Sequence, residues 1–185
     1  MASRTSFGPS ALATPANAVT LARLLATPLL LAVVLARPSS WVTFGVWAVL
    51  AGTDGADGYI ARRHGTTVSG AFLDPLADKF LVLAAMVALV VKRVFWWVPV
   101  AVIAAREAVI SGYRSVLARR GISVPARPGA KIKTVIQDLA VAVALLPPAR
   151  DHHWIAEGLL WGAAALTVLT GIQYLTDGRR VPGAV

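Results

Sequence analysis

The chain predicts an all-α integral membrane protein with six transmembrane helices, on three observations. Of its 185 residues, 57% are hydrophobic and 15% charged, with a mean hydropathy of +0.67. A soluble domain is nearer ~45–50% apolar and ~25% charged. Apolar stretches long enough to span a bilayer, about 20 residues each, recur at roughly 18–36, 41–61, 70–91, 95–117, 131–148 and 154–175. The breaks between them are basic or rich in Pro and Gly, as expected of short connections.

Residues 1–13 are small and polar, with Pro and Gly, and read as a loose lead. Arg4 before an apolar run raises a cleaved signal peptide, but the run from Ala18 to Ala36 exceeds a normal h-region. It ends at Arg37-Pro38 without a small-residue cleavage site, so it is expected to stay as the first span. The second span stops at Arg62-Arg63-His64-Gly65. In the third, Pro75 lacks an N–H and suits a first helical turn, which predicts a start close to Asp74. Lys92-Arg93 closes that span, and the stretch from Arg119-Arg120-Gly121 to Pro128-Gly129 closes the fourth. Pro147-Pro148-Ala-Arg150 ends the fifth, and the adjacent pair His152-His153 reads as loop because neighbours in sequence face different ways. The expected organisation is a lead over 1–15, one six-helix domain over 16–176 and a tail over 177–185.

An even number of spans puts both termini on one side. That side collects Arg4, Arg62, Arg63, Arg119, Arg120, Arg127, Arg179 and Arg180, with Lys131 and Lys133 at a helix start. The other side has Arg37, Lys92, Arg93 and Arg150, so the richer side is expected to be cytoplasmic. Trp96, Trp97 and Trp154 then read as anchors at the outer interface. The net charge of +9 is assigned to basic loops and anionic lipid headgroups rather than to nucleic acid. With no Cys, disulfides and thiolate metal sites are excluded.

Against this background, Asp54, Asp57, Asp74 and Asp78 stand out: the chain has only nine acidic residues, and four fall in this segment. Intramembrane carboxylates cost free energy and default to a functional role. Asp54 and Asp57 are three apart and Asp74 and Asp78 four apart, so each pair shares a helix face. Gly58, Ala61 and Gly70 leave those faces small enough for close approach. Four converging carboxylates need cations, and hard oxygen ligands suit Mg²⁺ or Mn²⁺. Two such ions would polarise phosphate oxygens. The bland alternative pairs the carboxylates with Lys79, Arg62 and Arg106, but pairing alone does not demand the repeated Gly-and-Asp spacing.

The segment resembles the signature of the CDP-alcohol phosphotransferases, D-x-x-D-G-x-x-A-R followed by G-x-x-x-D-x-x-x-D. Asp54, Asp57, Gly58, Ala61, Arg62, Gly70, Asp74 and Asp78 match every fixed position. The resemblance implies the family's six-helix fold, two bound divalent ions (Mg²⁺, with Mn²⁺ as the alternative) and a homodimer. It makes all four aspartates metal ligands, with Asp78 also the base that takes the acceptor's proton. It sets the nucleotide of CDP-diacylglycerol against Gly58, Arg62, Thr67 and Gly70. Asn17, Thr20 and Arg23, with Pro28 beyond, are similar to the family's N-x-x-T-x-x-R…P start and extend the CDP-diacylglycerol site. Helix capping by Asn17 or Thr20, with Arg23 reaching the surface, is the alternative for that face.

The acceptor is read from the C-terminal half. Glu107, Ser111 and Arg114 share a face at steps of four and three, with Arg106 beside them inside an apolar span. Gly129-Ala-Lys131-Ile-Lys133-Thr134 follows as a basic helix start. Arg forks and Lys point charges suit a phosphorylated acceptor. Positive-inside topology, with a Glu107–Arg114 pairing or one through Asp138, is the structural alternative. The pattern is similar to the bacterial phosphatidylglycerophosphate synthase branch of the family, although Ala130 displaces the glycine of its G-K-x-K-T motif by one residue. That branch implies transfer from CDP-diacylglycerol to sn-glycerol 3-phosphate, releasing CMP, by a multi-pass protein of the bacterial inner membrane whose active site faces the cytoplasm. A cardiolipin synthase of the same fold, accepting phosphatidylglycerol, is the alternative enzyme. A silent membrane scaffold or cation carrier is the alternative outside enzymes.

Overall fold

The computed structural model describes the backbone of residues 15–64, 68–119 and 128–179, and side chains of 22, 24–53, 79–113, 116, 132–174 and 176. Among the described residues there are six α-helices and no strand: α1 Pro15–Ala36, α2 Trp41–His64, α3 Val68–Val91, α4 Trp97–Arg119, α5 Pro128–Leu145 and α6 His153–Arg179. A 3₁₀ turn, Pro147–His152, joins the last two.

The breaks have local causes. After Pro38, Ser40 caps α2: its Oγ accepts the Thr43 N–H at 3.1 Å, three residues on. The Thr43 hydroxyl donates back to the Arg37 carbonyl at 2.7 Å, closing the α1–α2 corner. At the end of α3, Arg93 adopts φ 57°, Val94 N–H bonds the Leu89 carbonyl at 2.9 Å, and Arg93 N–H bonds the Val90 carbonyl at 2.9 Å. This is a Schellman turn with arginine where glycine is usual. The left-handed residue costs about 1 kcal/mol. Pro147 and Pro148 lack N–H groups and fit the tight 3₁₀ turn, which ends at His152; His153 already starts α6, so the expected His-His loop is helical.

The expected late start of the third helix is corrected. Helix α3 begins at Val68, and Pro75 lies within it. A proline removes one backbone bond without ending a helix whose other bonds persist, and Pro28 inside α1 does the same.

Helix α5 packs most extensively on α6 and α1 on α3; α6 also meets α4, and α2 meets α1 and α5. Alanines let these axes approach: Ala85 and Ala88 on α3, Ala140 and Ala144 on α5, and Ala156, Ala163 and Ala164 on α6 are all buried. Larger side chains fill between them, including Leu30, Trp47, Met86, Leu89, Ile103, Leu145 and Leu160. The outward surface is also apolar, with Leu25, Leu29, Val42, Val49, Phe80, Val87, Val91, Val135 and Leu169 exposed.

Among the described residues, one helical stretch, Pro147–Tyr174, is long and apolar enough to cross a membrane. Shorter apolar stretches cover Leu24–Ala36, Trp41–Thr53 and Lys79–Val91. Helix α4 interrupts its apolar run with Arg106, Glu107 and Arg114. Trp96, Trp97 and Trp154 are exposed, and the first two flank the start of α4, where the Glu157 carboxylate accepts the Trp96 N–H at 3.3 Å.

Candidate functional site: a buried carboxylate gathering three cations

The buried stripe of α6 runs Ala156, Leu160, Ala163, Thr167, Gly171, at helical steps of four and three. It changes from apolar to polar toward its C-terminal end. Helix α5 mirrors it, with Lys133 and Gln137 buried near its start and Ala140 and Ala144 beyond. On α4 the buried positions Ile103, Glu107 and Ile110 put one carboxylate into the same layer. Helix α3 contributes Lys79. Polar positions of four helices therefore meet in one cluster inside the bundle.

Glu107 is the hub, its side chain only 6% exposed. Lys79 Nζ lies 2.9 Å from its Oε2, and Arg106 Nη1 donates to Oε1 at 3.0 Å. Lys133 Nζ also donates to Oε1. Lys79 donates further to the Ser111 hydroxyl at 2.9 Å, so Glu107 and Ser111 share a partner, as their spacing predicted. The guanidinium of Arg106 is tied to α6: Nε donates to the Thr167 carbonyl at 3.1 Å and Nη2 to the Thr170 hydroxyl at 3.3 Å. Gln137 Nε2 donates to the Thr167 hydroxyl at 3.3 Å. Below this layer Tyr113 and Tyr174 meet edge to face, centroids 6.1 Å apart, joining α4 to α6 again.

Burying one carboxylate is tolerable only with partners, and here three cations share it. Among the described residues Glu107 thus holds Lys79, Arg106 and Lys133 together, donors of the kind that recognise an anion. Arg106, Glu107, Ser111 and Lys133 are brought together as expected. Lys79 and Gln137 join them, and Thr167 and Thr170, which no sequence signal marked, complete the cluster. Lys79 and Arg106, both named above as partners in the alternative pairing of the aspartates, reach Glu107.

The remaining candidates are placed by backbone. Arg114 lies on α4 and Lys131 on α5. Asn17, Thr20 and Arg23 lie inside α1, which begins at Pro15, so Asn17 and Thr20 are past the capping position. Asp54, Asp57, Gly58 and Arg62 lie on α2, and Gly70, Asp74 and Asp78 on α3. Both helices are continuous through these positions. Their side chains, and Thr67 altogether, lie outside the described residues. Among the described residues no group of three metal-ligating side chains occurs.

Residues 13–169 match the family described as CDP-alcohol phosphatidyltransferase. The chain is 34% identical over 188 residues to a probable phosphatidylglycerophosphate synthase of Mycobacterium tuberculosis, covering 96% of this chain and 88% of the relative. It is 37% identical over 165 residues to the CDP-diacylglycerol–glycerol-3-phosphate 3-phosphatidyltransferase of Rickettsia bellii, covering 85% and 91%. The enzyme of the same name from Escherichia coli K12 is 39% identical over 150 residues, covering 77% and 82%. With the matched region spanning most of the six-helix bundle, the chain belongs to the CDP-alcohol phosphatidyltransferase family.

Proposed function

We infer that this protein transfers the phosphatidyl group of CDP-diacylglycerol to the primary hydroxyl of sn-glycerol 3-phosphate, giving phosphatidylglycerophosphate and CMP. The observation that carries the acceptor is the cation cluster: Lys79, Arg106 and Lys133 converge on the single buried carboxylate of Glu107. A phosphorylated acceptor is the anion that the Arg106 guanidinium and the Lys133 ammonium suit. Arg106 and Lys133 would hold the phosphate with Ser111, Arg114 and Lys131. Glu107, a carboxylate itself, serves by holding the cations in place rather than by touching phosphate.

The donor side rests on Asp54, Asp57, Asp74 and Asp78. Two pairs of carboxylates, each on one helix face, form an all-oxygen donor set that fits two Mg²⁺ ions. Bound there, the ions would stabilise negative charge on the diphosphate and on departing CMP. Asp78 takes the proton as the acceptor oxygen bonds to the phosphatidyl phosphorus and the P–O bond to CMP breaks. Gly58 and Gly70 leave room for the nucleotide, and Arg62, Thr67, Asn17, Thr20 and Arg23 supply its polar contacts.

We place all six helices across the bacterial inner membrane, with both termini and the aspartates on the cytoplasmic side. The apolar exterior and the basic connections support this reading. The deciding experiment offers purified protein CDP-diacylglycerol with glycerol 3-phosphate, phosphatidylglycerol or inositol 1-phosphate. Product is expected from glycerol 3-phosphate. Product from phosphatidylglycerol alone would overturn the assignment in favour of cardiolipin synthesis.

A further inference from the structure

We propose that α6 is a positioning element for the acceptor: Thr170 and Gly171 set the Arg106 guanidinium in its working place, resting on the acceptor-site reading above. Three bonds fix that group. Its side edge, Nε and Nη2, spans two groups of one α6 turn, the Thr167 carbonyl and the Thr170 hydroxyl, while Nη1 reaches Glu107. Guanidinium has five N–H donors, so these three leave two for a ligand. The Thr170 hydroxyl is itself oriented. Its single proton faces the carbonyls of the preceding turn, Leu166 at 2.7 Å and Thr167 at 3.2 Å, which leaves an oxygen lone pair for Arg106.

Gly171 makes the room. A Cβ placed there would sit 3.2 Å from both Cγ and Nε of Arg106, tighter than ordinary contact. The neighbour is a long side chain rather than backbone, so an added methyl would displace the guanidinium and leave the helix standing. Gly171 thus decides where the Arg106 stem lies, and Thr170 decides how its head is turned. Thr167 completes the seat and is itself held by Gln137 from α5, which fixes α6 against the helix that carries Lys133.

None of the α6 residues needs to touch substrate. They act through Arg106, and the test separates that role from a general structural one. Steady-state kinetics would be measured for Thr170→Val, Thr170→Ser and Gly171→Ala, varying glycerol 3-phosphate and CDP-diacylglycerol separately. Loss of one hydrogen bond to a charged group predicts that Thr170→Val raises KM for glycerol 3-phosphate about tenfold. KM for CDP-diacylglycerol should stay unchanged, Gly171→Ala should follow the same pattern, and Thr170→Ser should behave as wild type. In an Arg106→Ala background, Thr170→Val should add nothing further, because the two act as one unit. Equal rises in both KM values, a defective Thr170→Ser, or full additivity with Arg106→Ala would overturn the proposal. If Arg106→Ala itself leaves KM for glycerol 3-phosphate unchanged, the acceptor role of Arg106 fails, and the positioning role falls with it. If Arg106→Ala raises that KM and Thr170→Val does not, only the positioning role fails.

Discussion

Replacing Glu107 by Gln keeps the shape of the hub and removes its charge. In the wild type, Lys79 and Arg106 sit 2.9 and 3.0 Å from the carboxylate, and Lys133 also bonds it. At 3 Å and an effective dielectric constant of 20, each such pair is worth roughly 5 kcal/mol before desolvation is counted. Most of that is offset by taking the ions out of water, and Lys79, 31% exposed, contributes least. Removing only the anion leaves three neighbouring cations facing one another, and the net loss should be about 3–5 kcal/mol. For a chain of this size that lowers Tm by roughly 10 °C. The assay is thermal unfolding in detergent, with and without glycerol 3-phosphate or inorganic phosphate. Because an added anion replaces the missing charge, phosphate should raise the Tm of Glu107→Gln more than that of the wild type. A variant melting within about 2 °C of wild type, or one that phosphate stabilises no more than wild type, would refute the hub reasoning.

Asp78→Asn should abolish transfer while CDP-diacylglycerol still binds, measured by turnover and by equilibrium binding of the donor; wild-type-like turnover would remove Asp78 as the base. Arg114→Ala should raise KM for glycerol 3-phosphate about tenfold, by loss of a charged phosphate contact, and should raise KM for CDP-diacylglycerol less. Equal effects on the two substrates would make Arg114 a structural residue.

The helices were legible because composition and breaks agree: each apolar run ends at a proline, a basic pair or both. The exact starts were less so. Pro75 looked like a first-turn residue, but local propensity cannot tell a helix start from a helix that tolerates one missing bond, as α3 and α1 both do. Arg93 gave no sign of its left-handed backbone, since a basic residue there has a topological explanation and glycine is the usual marker. In the site, Glu107, Ser111 and Lys133 were readable from helical spacing and from charge inside an apolar run. Lys79 was visible only as a neighbour of Asp78. That it lies level with Glu107 is set by how α3 packs on α4, which no local pattern encodes. Thr167, Thr170 and Gly171 look like ordinary small residues of an apolar helix. Their signal was the buried stripe from Ala156 to Gly171, which turns polar where the other helices do.

Lys79 has one more consequence. It follows Asp78 directly on α3, yet its described partners, Glu107 and Ser111, belong to α4. In the proposed roles, the helix that would carry donor chemistry is thereby fastened to the layer that would recognise the acceptor. In those roles Lys79 is a seam between the two sites: a change there would be felt on both at once, and new acceptor specificities should arise more readily by altering Lys133 on α5 or the α6 seat of Arg106 than by altering Lys79.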